Sequence, residues 1–257
     1  CKGESPKLAI IRVGENPDDM SYERGATKKM ESFGLRVQSY VSPEDITDSD
    51  FKAEFTKINE DPDVTGILML RPLPKQICEK DIEVMIDPAK DLDGISPVNI
   101  AKVFAGDDSG FAPCTAEAVI EVLKAAEIPM IGKRVTIVGR SMVVGKPLSM
   151  LMVKENATVT ICHTRTKDMP SVVKEADIVI VAAGRAGVVD DTYLRAGQTV
   201  IDVGINVNEE GKLCGDVAYA KAEPIVEAIT PVPGGVGSVT TSVLVGHVVE
   251  AAMRKNS

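Results

Sequence analysis

The stretch Arg134-Val-Thr-Ile-Val-Gly139-Arg140-Ser141-Met-Val-Val-Gly145-Lys146-Pro147 decides the fold. Four β-favouring residues, Val135 to Val138, run into a glycine-punctuated turn, and Pro147 stands where a helix's first turn can lose an N–H at no cost. A strand, a tight turn and a helix start in this order open a Rossmann-type layer. Working outward, apolar β-rich runs at Lys7 to Val13, Val37 to Val41, Gly66 to Leu70, Thr158 to Cys162, Ile178 to Val181 and Thr199 to Val203 alternate with helical patterns. This alternation predicts an α/β fold on mainly parallel sheets. Between the two groups of strands, Thr115 is the expected N-cap of a helix carrying Val119, Ile120, Val122 and Leu123 on its apolar side. The predicted organisation is an α/β domain over residues 1–114, a linking helix over 115–127, a Rossmann-type domain over 128–238, and a final segment, 239–257. That last segment holds an amphipathic helix from about Thr240 to Met253, expected to pack back on the first domain.

Composition narrows the function classes. At 257 residues, 44% of them hydrophobic, the chain can bury a sizeable core. With 29 Lys+Arg against 38 Asp+Glu the formal charge is -9, which offers no general attraction to nucleic acid or an anionic membrane face, so neither is an expected partner. Five cysteines, Cys1, Cys78, Cys114, Cys162 and Cys214, lie far apart without CxxC spacing. They argue against a disulfide framework or a metal site and for reduced thiols in a cytoplasmic setting. No apolar run is expected to reach the length of a membrane span, and Cys1 to Lys7 are too polar for a signal peptide. A first residue other than Met leads to the expectation of a preceding segment.

The glycine turn is spaced GxSxxxG, a weak signal by itself. Gly139 and Gly145 would let the main chain approach a pyrophosphate, with Arg140 and Ser141 beside it, and the helix start would favour its charge. About twenty residues on, where an NAD site places an acid for the ribose diol, the sequence is Cys162-His163-Thr164-Arg165-Thr166. Hydrogen-bond donors and a cation replace the acid. His163, Thr164 and Arg165 with Arg140 can hold a 2′-phosphate, which makes NADP the expected cofactor.

Further segments carry a resemblance over essentially the whole chain. Lys90-Asp-Leu-Asp93-Gly94, Pro113-Cys-Thr115, Asp202-Val-Gly-Ile205-Asn206 and Pro231-Val-Pro-Gly-Gly-Val-Gly237 resemble, in order and spacing, the methylenetetrahydrofolate dehydrogenase/cyclohydrolase family. So do Leu8 to Gly14 and Gly66 to Pro74. The resemblance implies a homodimer that oxidises 5,10-methylenetetrahydrofolate with NAD(P), usually followed by hydrolysis of the methenyl product to 10-formyltetrahydrofolate. It implies that Asp93 accepts the pterin's N–H donors and that Tyr22 packs its ring on the folate. It also implies that Pro233, Gly234 and Gly235 bring main chain close to folate and nicotinamide, and that Ile205 and Thr240 line the nicotinamide side. Taken without the resemblance, Asp93 would be an Asx-turn residue before Gly94 and Tyr22 a core residue.

Two departures set this chain apart. Bifunctional members carry a lysine four residues after the tyrosine, and here that position is Ala26; the glutamine that positions this lysine is Leu70. Neither side chain can activate water. Arg71 is expected on the opposite face of the strand, as a structural or solvated arginine. The resulting expectation is an NADP-dependent dehydrogenase with weak or absent cyclohydrolase activity. The alternatives are a bifunctional enzyme in which Lys28 or Lys29 takes over, Lys29 returning to the Tyr22 face after seven residues, or a non-catalytic folate or nucleotide sensor.

Overall fold

The computed structural model describes residues 5–255. Cys1, among the cysteines read as reduced thiols, lies outside them. Contacts divide the chain into two compact units: one runs through Cys114 and resumes at Thr241, and the other is Thr115–Thr240.

The first unit begins β1 (Lys7–Val13), α1 (Pro17–Ser32), β2 (Arg36–Ser42), α2 (Asp48–Glu60), β3 (Gly66–Met69), α3 (Glu79–Met85) and α4 (Pro97–Ala105). Its sheet has the order β2-β1-β3 with every pair parallel. Parallel neighbours need crossover connections, which the helices supply. β1 is central, so Leu8, Ala9, Ile10 and Ile11 are all buried, the unbroken apolar run of a strand covered on both faces. α1 starts sharply because the Asn16 side chain accepts from the Asp18 N–H at 2.8 Å and Pro17 occupies the first turn. On α2, Phe51, Phe55 and Ile58 recur at helical spacing and bury against the strands.

α5 (Cys114–Ala125) leads into the second unit, which continues β4 (Arg134–Val138), α6 (Gly145–Lys154), β5 (Thr158–Cys162), α7 (Met169–Lys174), β6 (Ile178–Val181) and β7 (Thr199–Asp202). After these come a small hairpin of β8 (Asn206–Val207) and β9 (Leu213–Cys214), then α8 (Tyr219–Ala222), β10 (Ala228–Ile229) and α9 (Val236–Lys255). The main sheet is parallel in the order β10-β7-β6-β4-β5. The chain reverses its direction of travel across the sheet at β4, which lies between β5 and β6. Ligands of open parallel sheets bind outside the carboxyl ends of the strands at such a switch point, here where the Gly139 loop leaves β4.

The α/β organisation and the seven expected strands are present, with ends shifted by at most a residue. Three expectations are corrected. Thr115 is not an N-cap: α5 already includes Cys114, whose N–H is taken by a carboxylate from elsewhere in the chain. α9 begins at Val236, inside the glycine-rich segment, so Thr240 is within the helix. An apolar segment of membrane-spanning length does exist: by length and composition α9 could cross a membrane. Leu244, Val248 and Ala251 on it are buried in the protein, as in a core helix.

Candidate active site

In the first unit, Tyr22 on α1, Asp93 and Cys114 come together. Asp93 Oδ1 accepts the Cys114 N–H at 2.9 Å, so its carboxylate sits at the start of α5, where the helix dipole favours negative charge. Burial nevertheless raises the Asp93 pKa; bonds from Cys114 and the positive charge of Arg71 only partly oppose it. Burial, with the nearby charge of Cys114 and Asp93, raises the Tyr22 pKa, so the phenol stays neutral at any ordinary pH. The half-buried cluster therefore presents an aromatic ring beside an acceptor carboxylate.

Asp93 is not the Asx-turn residue. That work falls to Asp91, which is buried: Oδ1 accepts the Ile95 N–H, and Oδ2 accepts the Ser96 N–H and an Asn99 Nδ2–H, at 2.8 to 3.0 Å. Gly94 has φ +60, and a Cβ there would lie 2.5 Å from the Phe111 carbonyl oxygen. Asp91 shapes the turn, leaving the Asp93 carboxylate to meet the start of α5.

Ala26 is fully buried on α1, and Leu70, just past β3, is 8% exposed. Both are packed as apolar core. Arg71 lies past the end of β3 and pairs with Glu79 at 3.2 Å and Glu83 at 3.5 Å. The two lysines after Ala26 diverge. Lys28 lines a groove with Met20, Glu23, Thr27 and Glu31, a different stripe of α1 from Tyr22, whereas Lys29 is half-buried two turns along the Tyr22 face.

In the second unit, Val138 and Cys162 are paired neighbours, so the Gly139 loop and the His163 turn leave the sheet side by side. Gly139 donates its N–H to the Cys162 carbonyl at 2.9 Å. Both loop glycines are required by the main chain itself. A Cβ on Gly139 would stand 2.1 Å from the Ala182 oxygen, and one on Gly145 would stand 2.2 Å from the Gly139 oxygen. Ser141 knits the loop, its Oγ accepting the Val144 N–H and its carbonyl the Lys146 N–H.

His163 accepts the Arg165 N–H on Nδ1 at 3.1 Å, leaving Nε2 as the donor of the neutral ring. Among the described residues no carboxylate pairs with Arg140 or Arg165, and both are exposed, as is Thr164. The nearest acid along the chain, Asp168, accepts from the Ser171 hydroxyl. A cradle of close-packed glycines beside uncompensated guanidinium groups fits a phosphorylated dinucleotide.

A pocket of about 190 Å³ in the same unit is lined by Ile205, Pro233, Gly234, Gly235 and, unforeseen from sequence, Leu213. Thr240, which the resemblance assigns to the nicotinamide side, is buried in α9 and donates to the Val236 carbonyl. Below the pocket lie two buried carboxylates that sequence reasoning also missed. Asp202 accepts the N–H groups of Gly204, Asp216 and Val217; Asp216 accepts those of Ala183 and Gly184 and an Asn206 amide hydrogen. Gly204 and Gly215 make this possible, since a Cβ on either would collide with the opposite carboxylate. The pairing of Asp-x-Gly with a later Gly-Asp was the available signal.

Residues 1–93 match the family model for the tetrahydrofolate dehydrogenase/cyclohydrolase catalytic domain, and residues 113–256 match that for its NAD(P)-binding domain. The chain belongs to the tetrahydrofolate dehydrogenase/cyclohydrolase family. Within this family, the bifunctional protein FolD of Clostridioides difficile is 52% identical over 256 residues, which is 100% of this chain and 89% of that one. The bifunctional FolD structure from Campylobacter jejuni superposes with a TM-score of 0.96 at 39% identity, covering 99% of this chain and 90% of that one. The Trypanosoma brucei methylenetetrahydrofolate dehydrogenase-cyclohydrolase, solved with NADP and an inhibitor, gives 0.93 at 34% identity, covering 99% and 89%.

Proposed function

We propose that this member of the family is an NADP-dependent dehydrogenase that oxidises 5,10-methylenetetrahydrofolate to the 5,10-methenyl form and hydrolyses that product weakly or not at all. Asp93 accepts the pterin's donors, Tyr22 packs on its ring, and the Pro233-Gly234-Gly235 main chain with Ile205 borders the nicotinamide. Gly139, Arg140, Ser141, Gly145, His163, Thr164 and Arg165 hold the nucleotide, the two arginines taking its 2′-phosphate. NADP supplies the hydride acceptor. The folate nitrogen lone pair assists hydride departure, so the protein's task is orientation and exclusion of water, and no general base is required.

Hydrolysis asks for more, because a water must be activated and protons moved. The observation that carries the reading is that Ala26 and Leu70, both apolar, are buried, at the two positions that the resemblance assigns to the lysine and glutamine of bifunctional members. The test is enzyme-dependent decay of methenyltetrahydrofolate without NADP, at a pH where the spontaneous rate is known. Decay indistinguishable from buffer, beside a normal NADPH signal, is the expected result, and robust decay overturns it. A bifunctional reading is favoured by Lys29, which shares the Tyr22 face; there, Lys29→Ala would abolish the decay. A homodimer forms part of the proposal and is tested by light scattering on the eluting protein.

A further inference from the structure

α9 returns to the first unit carrying a buried histidine that no step above uses. His247 is 4% exposed, and its Nδ1 lies 2.8 Å from the carbonyl oxygen of Leu92. A carbonyl only accepts, so Nδ1 carries the hydrogen and donates it. The Cys114 thiol donates to the same oxygen at 3.3 Å, and its sulfur is 3.7 Å from Nδ1. Phe111 packs against the imidazole at a centroid distance of 5.1 Å, and the Arg254 guanidinium, two turns further along α9, lies 4.5 Å from the Phe111 ring centre. Arg254 also donates to the carbonyls of Asp108 and Ser109, so one face of α9 grips the whole segment before Cys114.

Leu92 O belongs to the peptide that leads into Asp93. That residue is thus fixed at two points: its carboxylate by the Cys114 N–H, and the peptide plane before it by His247 and the Cys114 thiol. The Leu92 side chain is fully buried, and a Cβ on Gly66 would collide with it, so the peptide cannot drift toward β3. We propose that His247 is a positioning residue for the pterin-binding carboxylate: by donating from Nδ1 to Leu92 O it sets the direction in which Asp93 meets the folate. The inference rests on Asp93 being the pterin anchor.

The number of bonds from Cβ provides a discriminating test. The side-chain nitrogen of Asn stands as many bonds from Cβ as His Nδ1 does, and that of Gln as many as Nε2. His247→Asn keeps a donor where Leu92 O needs one, while His247→Gln moves it away. Steady-state kinetics on the purified full chain should show the KM for methylenetetrahydrofolate raised about tenfold in His247→Gln, with the KM for NADP unchanged and His247→Asn close to wild type, the scale expected when a binding group is displaced by a fraction of an ångström. A double variant His247→Gln with Asp93→Asn should bind folate no worse than Asp93→Asn alone. Equal folate KM in Asn and Gln variants, or parallel changes for both substrates, overturns the positioning role. If Asp93→Asn itself leaves folate binding intact, the anchor reading fails instead. Should the Gln variant not fold, His247→Ala removes the donor to Leu92 O outright and should raise folate KM alone; an unchanged folate KM there also counts against the proposal.

Discussion

At the scale of single residues, the two aspartates of Lys90-Asp-Leu-Asp-Gly94 are expected to separate binding from stability. Asp93→Asn retains an oxygen for the Cys114 N–H but turns a donor toward the pterin's donors. Folate affinity should fall by the worth of a charge-assisted hydrogen bond, about 1.5–3 kcal/mol, while NADP affinity and melting temperature stay near wild type. Asp91→Ala should do the opposite, because three buried donors lose their acceptor; calorimetry should show a loss of several degrees or no folded protein. Burial raises the Asp93 pKa above 3.8, so a proton is retained at higher pH than on an ordinary aspartate. A protonated acid donates where an acceptor is needed. The acid limb of kcat/KM for folate should therefore begin above the usual aspartate range, and a limb at the usual value would count against burial of the charged form. For the cofactor, Arg140→Ala should weaken NADP about tenfold or more while leaving NAD nearly untouched; equal losses would remove Arg140 from the 2′-phosphate.

At the scale of elements, the loops matter more than the helices they connect. The Asp202–Asp216 pair ties the end of β7, the hairpin and the Ala183–Gly184 amides into one block. Gly215→Ala would place a Cβ 1.9 Å from the Asp202 Oδ2. It should lower the melting temperature by several degrees and weaken NADP, since Asp202 lines the pocket proposed to take the nicotinamide; an unchanged melting curve would show that the pair yields at no cost. The element pattern was legible because strand period and parallel-sheet burial leave a sequence mark. Cap assignments were less legible: Thr115 has the right chemistry for an N-cap, but Asp93, 22 residues earlier, reaches the same helix start with a stronger acceptor.

At the scale of the whole molecule, the nucleotide-type unit is inserted into the first, leaving it after Cys114 and rejoining it at Thr241. One chain thus carries both halves of an oxidation, and the proposed absence of hydrolysis is a difference of two side chains within an intact frame. The double change Ala26→Lys with Leu70→Gln should restore some methenyl decay, with each single change doing less. Because Ala26 is fully buried, Ala26→Lys alone should also destabilise by about 1–3 kcal/mol through overpacking and an unpaired buried charge. A stable Ala26→Lys variant with full hydrolysis would mean that Leu70 is irrelevant to the reaction.

The sequence by itself determined the parallel α/β layers, the glycine loop, the cationic turn after β5 and the apolar replacements at Ala26 and Leu70, because each depends on neighbours a few positions apart. Only the tertiary structure decided which aspartate shapes the turn and which meets the start of α5, why Gly139, Gly145, Gly204 and Gly215 admit no side chain, that Thr240 is turned into its helix, and that His247 reaches Leu92. For Gly139, Gly204, Gly215 and His247 the physical reason is a contact with a group distant in sequence; Asp91 and Thr240 instead meet main-chain groups about a turn away, and no pattern of residue types records which carbonyl or amide a side chain will take.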